Sequence, residues 1–381
     1  DLREKVGEYE RQYITTRYHD IVTGDAQKRI DTLRLMSDTF PRDFAPRNNL
    51  GVVYLEMGRL DQALEQFRAA VTLAPDQRLP NMNLANTLVA VGHIDEAKGA
   101  FERTLAIGDS SDARAGAYLR AYLAGDRAEM MRHFDAGRRG REPWLLNAAR
   151  ARTLANEGQF VESSRFLAQS ISEASAVDRA GAAAQGWLQL ASISVQVGDD
   201  QKARKAAAEA IHLDHDARTV LRAAALLALA GDVPLAAALT QAFEADPPVD
   251  TITRNAVLTQ ARAAVAMGGH KLKEADQILD DAVSYEARYP ELTWLRGLVR
   301  LQLRDRAAAD SFRSLIEHPW RGGTIVYPLM ELELARALAK GGDVQGARGA
   351  YEHFLNVWAA ADPDLQPALD AKRELGTLAP H

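Results

Sequence analysis

The sequence predicts an all-α fold, a right-handed α-solenoid of about ten antiparallel helix pairs, and three observations predict it. A residue template recurs every 34 positions along the 381-residue chain. Alanine supplies 68 residues, almost a fifth of the total, while only 7% are aromatic, so many contacts must be close ones between thin elements. No long alternating run of Val, Thr and Tyr is present to favour strands. Length alone would suggest two or three globular domains; a fixed period replaces that reading with one elongated array.

The first three units, 10–43, 44–77 and 78–111, are in register. A shift of 34 places Leu50 on Leu84, Gly58 on Gly92, Ala63 on Ala97 and Phe67 on Phe101. The reverse shift places Gly58 on Gly24, Phe67 on Leu33 and Pro75 on Pro41. The middle unit spells the template as Leu50-Gly51, Tyr54, Gly58, Ala63, Phe67, Ala70 and Pro75. Gly51 and Ala63 are small where two antiparallel helices approach, Tyr54 and Phe67 fill the space beside them, and Gly58 ends the first helix. Pro75 stops the second, because its ring cannot continue the hydrogen-bond ladder. Gly51→Leu is therefore expected to overpack the pair, and the same change at the turn residue Gly140 to be milder.

From 112 to 327 the theme continues with looser spelling. Gly125 and Gly158 are followed by Phe134 and Leu167, Gly198 by Ala203, Ala207 and Ala210, and Gly231 by Ala236 and Phe243. Ala275, Leu279 and Ala282, then Ala308, Phe312 and Leu315, mark two further second helices. Wider intervals predict lengthened helices or inserted loops around 173–182 and 246–252. The segment 328–381 holds a sharp last unit, with Leu334-Ala335, Leu338, Gly342, Ala347, Tyr351 and Phe354, and then a capping stretch.

The pattern of a large and a small apolar residue, an aromatic, a turn glycine, a small residue, an aromatic, a small residue and a closing proline resembles the tetratricopeptide repeat. Together with Tyr9-Glu10 to Tyr18, Phe40-Pro41-Arg42-Asp43 and the stretch from Phe354 to Asp364, it is similar to the repeat-rich C-terminal regions of some bacterial serine/threonine kinases and winged-helix regulators. That resemblance implies a regulatory or sensory segment of a larger signalling protein. The polar start at Asp1 also reads as a fragment or processed form, so a catalytic or DNA-binding part is expected upstream. No glycine-rich kinase loop, HRD or DFG occurs in the chain itself.

Stacked pairs curve, and the first helices line the concave side, where extended peptides dock. The template places Asn48, Asn49, Val52, Leu55, Glu56, Asn83 and Asn86 on or beside that strip, so these are the candidate groove residues. Asparagine offers both a donor and an acceptor to a peptide backbone; its competing role is to bond its own helix start or turn. The two-lysine, asparagine and arginine clamp of some tetratricopeptide domains does not carry over, since Asn48, Asp112 and Gly116 stand at its positions. The expected partner is a protein or peptide of unspecified sequence.

Other function classes find less support. With no cysteine there is neither a disulfide framework nor a thiolate site, and the compartment stays open. A net charge of −6 argues against a general nucleic-acid or anionic-membrane binder. The most apolar run, Leu221 to Ala230, is too short to span a membrane and reads as a buried helix. His212 and His215 read as a helix C-terminal cap more readily than as metal ligands, Gly268-Gly269-His270 as a turn, and Arg138, Arg139 and Arg141 as a solvated loop. No hydrolase, zincin or dinucleotide signature is found, so catalytic residues, metal and cofactor are all expected to be none. A second reading, a structural or envelope-assembly scaffold, would have Trp294, Trp320 and Trp358 forming an exposed patch for self-association; the favoured alternative for these side chains is that they cap the core of the final repeat.

Overall fold

The computed structural model describes residues 6–246, 250–321 and 323–378, and every regular element among them is helical. Ten antiparallel pairs follow one another. The first five are α1 (Glu8–Ile21) with α2 (Ala26–Thr39), α3 (Phe44–Glu56) with α4 (Leu60–Leu73), α5 (Arg78–Ala90) with α6 (Ile94–Ile107), α7 (Ser111–Leu123) with α8 (Arg127–Gly137), and α9 (Pro143–Asn156) with α10 (Phe160–Ser175). The second five are α11 (Ala180–Val197) with α12 (Asp200–Leu213), α13 (Ala217–Leu229) with α14 (Val233–Ala245), α15 (Thr259–Gly268) with α16 (Leu272–Asp280), α17 (Pro290–Leu303) with α18 (Ala308–Glu317), and α19 (Tyr327–Gly341) with α20 (Val344–Val357). A final helix, α21 (Gln366–Thr377), covers the end of the stack.

One backbone device makes all ten pairs. Each first helix ends on a residue with positive φ: Gly24, Gly58, Gly92, Gly125, Gly158, Gly198, Gly231 and Gly342, and, without glycine, His270 (φ 60°) and Arg304 (φ 58°). In every pair but the first, the amide after it donates to a carbonyl five residues back, as Arg59 does to Tyr54 at 2.9 Å and Asp343 to Leu338 at 2.9 Å, which satisfies the orphaned helix carbonyls. Five of these glycines precede an aspartate, Asp25, Asp126, Asp199, Asp232 or Asp343, whose carboxylate accepts from a backbone N–H in the first turn of the next helix. His270→Gly and Arg304→Gly are expected to stabilise the fold by up to about 1 kcal/mol each, read by urea unfolding, because an L side chain is disfavoured in this conformation. A loss of stability in both would show that the side chains matter more than the backbone.

Within a pair the small-on-aromatic contact is tight. A Cβ on Gly51 would lie 2.7 Å from Phe67, and one on Gly297 would lie 2.6 Å from Phe312. Gly51→Leu should cost about 1–3 kcal/mol in urea unfolding; an unchanged midpoint would contradict the contact. Gly140 is not the open turn its sequence suggests. A Cβ there collides with Ser111 Oγ, which donates to Gly137 O at 3.1 Å and accepts from the Glu142 N–H at 3.3 Å, so substitution at Gly140 breaks a buried linkage. Arg138, Arg139 and Arg141 beside it are solvent-exposed.

The first wide interval is absorbed by helix lengthening: α10 has 16 residues and α11 has 18. The second lies partly at 247–249, outside the described residues, and is followed by a π-helical turn, Thr253–Leu258, leading into α15. The apolar run 221–230 sits in and just after α13 and is almost wholly buried. No described helix is long and apolar enough to cross a membrane. The tryptophan patch is not exposed: Trp294 and Trp358 are buried at 5% and 4% exposure, and Trp320 is half-buried against Gly92. Trp294 and Trp358 close the core, and Trp320 lies between the coils, so the three do not form one exposed patch.

The stack also coils far enough to meet itself. Thr251 donates from its N–H to Gly24 O at 2.8 Å, and its hydroxyl accepts from the Ala26 N–H at 3.3 Å, across 225 residues. Gly58 rests on the Ser284–Tyr285 backbone and Gly92 on the Trp320 ring, with too little room for a Cβ. Asp362 N–H donates to Gly158 O at 3.0 Å, and the Asp362 carboxylate accepts from the Val161 N–H at 2.9 Å. Trp358 Nε1 donates to Asn156 O at 3.1 Å across 202 residues. One superhelical turn therefore takes about six to seven units of ~34 residues, and the pair-closing turns at Gly24, Gly58, Gly92 and Gly158 are the seats on which the second coil rests. Glycine suits these seats twice over, by its positive φ and by the close backbone approach.

Candidate functional site

Where the two coils meet, the concave face becomes a chamber of about 860 Å³. One wall comes from the first helices of successive units: Leu55 of α3, Asn83 and Asn86 of α5, Leu119 and Tyr122 of α7, and Arg152 of α9. The two on α5 and the two on α7 are each three residues apart, which places each pair on one face of its helix. The opposite wall comes from the second coil, with Ile316 of α18, the short turn Pro319–Arg321, Tyr327 and Glu331 of α19, and His353 and Val357 of α20.

Of the groove residues expected from the template, Leu55, Asn83 and Asn86 line this chamber. Asn48 is buried beneath it at 2% exposure; its Oδ1 accepts from Asn83 Nδ2 at 2.9 Å, and its own amide donates to Asn49 Oδ1 at 3.4 Å. Asn48 thus orients Asn83, and Asn49, Val52 and Glu56 are not part of the wall. Glu56 lies 4.0 Å from Arg29 and 4.0 Å from Arg218, and burial pushes its carboxyl above the usual range against their pull. Two other asparagines are structural. Asn81 donates to Pro75 O and Gln77 O, and Asn156 accepts from the Tyr327 N–H at 2.9 Å, joining the coils.

The polar side chains of the chamber are unevenly charged. Arg127, Arg152, Arg288 and Arg321 contribute to the wall, and none has a carboxylate within 4 Å among the described residues. Burial pulls the Arg321 guanidinium below its ordinary value. Against them stand Glu157 and Glu331. Glu331 is held by His353 Nδ1 at 3.2 Å, with burial raising its pKa, and Glu157 Oε2 is buried without a hydrogen-bond partner. Tyr122 is pushed up to about 12 by burial, with Glu157 adding to the shift. Between the charges the surface is apolar, with Leu119, Ile316, Trp320 and Val357 prominent.

The arginines and the whole second wall were invisible to the repeat template, which describes how a unit packs on its neighbour and carries no information about a unit six or seven further on. Gly92 and Gly158 were the available signals, as turn glycines that also face a close contact. Among the described residues no group of three His, Asp or Glu side chains is placed to hold a metal ion.

Residues 54–123 match the family model described as tetratricopeptide repeat. Among solved structures, the chain is similar to a tetratricopeptide repeat protein from Parabacteroides merdae (14% identity, 76% of this chain and 98% of that one, TM-score 0.37) and to yeast Tom70 (11%, 97% and 94%, TM-score 0.40). A further similar structure is YrrB, described as a TPR protein with an unusual peptide-binding site (18%, 48% and 93%, TM-score 0.29). No curated protein matches the sequence.

Proposed function

Starting from a tetratricopeptide-repeat solenoid whose two coils enclose a chamber, we propose that this protein is an interaction scaffold that holds a segment of a partner protein against its concave face. The chamber carries this reading: it is concave, largely apolar and edged by amide and guanidinium groups able to bond a peptide. Asn83 and Asn86 are the proposed backbone-binding amides, with Leu55 and Leu119 as the apolar floor. Asn48 acts through Asn83, and Asn49, Val52 and Glu56 support the helices beside it. The sharply spelled units before 111 and after 328 each supply part of the grip, and the looser units from 112 to 327 supply the rest of both walls. Within a cell the natural setting for such a module is the regulatory or sensory part of a larger bacterial signalling protein, and its contribution there is binding without catalysis.

A photo-crosslinking amino acid placed at Asn86, inside the chamber, and at Leu35, exposed on the first unit, tests the reading in cells of the source organism. A partner adduct at position 86 that is absent at 35 is expected. Adducts only at position 35, or equal at both, would place the partner elsewhere.

A further inference from the structure

Four arginines converge on the chamber. Some arginines elsewhere in this protein meet carboxylates: Arg78 meets Asp112 at 3.1 Å, Arg296 meets Asp280 at 2.8 Å, and Arg336 meets Glu374 at 2.9 Å. The chain has 52 acidic against 46 basic residues, so composition does not explain a wall lined by Arg127, Arg152, Arg288 and Arg321 but by only two carboxylates, Glu157 and Glu331. One of the two wall carboxylates, Glu331, is already engaged by His353. The half-buried Arg321 guanidinium has lost water, and the charge of Glu286 offsets only part of that loss, so a further negative charge brought beside it would be favourable. The four come from separate elements, Arg127 and Arg152 on the first coil and Arg288 and Arg321 on the second, and the surface between them is apolar.

Resting on the scaffold reading above, we propose that the partner segment held in the chamber is acidic and amphipathic, with Asp or Glu side chains that pair with Arg152 and Arg321 and large apolar side chains between them that pack on Leu119, Trp320 and Val357. Arg127 and Arg288, exposed at the wall, draw the same segment in by long-range attraction. The volume falls in the range of about 300–1,000 Å³ typical of sites that enclose most of their ligand, so a short stretch of the partner is enclosed and the rest leaves through the openings.

The test is selection of random peptides, displayed with no free C-terminus, on the full chain, followed by binding measurements on synthetic amidated versions. Enrichment of Asp and Glu beside Leu, Phe or Trp is expected. Binding should weaken about tenfold or more in the double variant Arg152→Gln/Arg321→Gln, and by less, with a shallower salt dependence, in Arg127→Gln/Arg288→Gln, whose side chains are exposed and whose folding is the safer control. Selected peptides without acidic enrichment, or with affinities unchanged in both variants, would overturn the proposal. Leu119→Trp, which fills the chamber, separates the two levels: peptides blocked by it but indifferent to the arginines defeat only the acidic segment, whereas peptides it does not block defeat the chamber reading as well. Dodecanoate is the remaining arm; binding of this small amphipathic carboxylate with no peptide selected would overturn the proposal in favour of a free ligand.

Discussion

Replacing Trp358 by alanine should destabilise the protein by about 3–5 kcal/mol, the range for emptying a large buried aromatic site. The indole is 4% exposed, lies 4.8 Å from the Phe354 ring and 5.4 Å from the Phe160 ring, and donates to Asn156 O at 3.1 Å. Phe354 belongs to its own unit, but Phe160 and Asn156 belong to the other coil, so one side chain fills the last repeat and fastens it to the fifth. Trp358→Phe keeps most of the apolar volume and loses the N–H, and should cost less. Urea unfolding reads both; a loss below about 1 kcal/mol in the alanine variant, the level of a typical surface change or mild defect, would mean the indole is not packed as described.

Glu129→Gln should cost about 3–5 kcal/mol, because it leaves a buried cation without its counter-charge. Glu129 and Arg120 are 5% and 3% exposed and in direct contact, with Lys98 at 3.4 Å and Arg132 and His133 at 3.6 Å. Burial alone would raise the Glu129 pKa, but the contact and charge of Arg120, with Lys98, override it and hold the carboxyl at about 2 instead of 4.5. A carboxyl whose pKa is lowered by folding contributes stability that is complete above its unfolded value and is lost as pH falls through the folded one. The native protein should therefore lose about 3 kcal/mol from this group between roughly pH 5 and pH 2, and the Glu129→Gln variant should lack that component. Identical pH profiles for the two proteins would contradict the assignment.

What the sequence could and could not disclose follows from the range of each interaction. Gly51, Tyr54, Gly58, Ala63 and Phe67 act within one unit or on its neighbour, so a 34-residue period exposes their roles, and even the loosely spelled units fold as helix pairs. His270 and Arg304 show why some units looked irregular: they occupy the positive-φ position without glycine, and the backbone turn is kept. The concave strip was legible through Leu55, Asn83 and Asn86. Asn48 was placed on it because the template assigns a face, whereas its burial depends on how Asn83 reaches over it from the next unit. Gly140 was misread because Ser111, 29 positions away, fills the space that a turn residue was expected to leave open. The second wall depends on the pitch of the superhelix, a sum of small rotations over six or seven units, and no local pattern encodes it.

Closure of the coil on itself makes the chamber, and it can be measured directly because the chain has no cysteine of its own. Spin labels on cysteines introduced at Arg59 and Val283, and in a second protein at Val161 and Pro363, flank two of the seats and lie at exposed positions. Pulsed electron paramagnetic resonance should give one narrow, short distance for each pair. A broad distribution reaching long distances in both would show an open spring with no chamber between its coils.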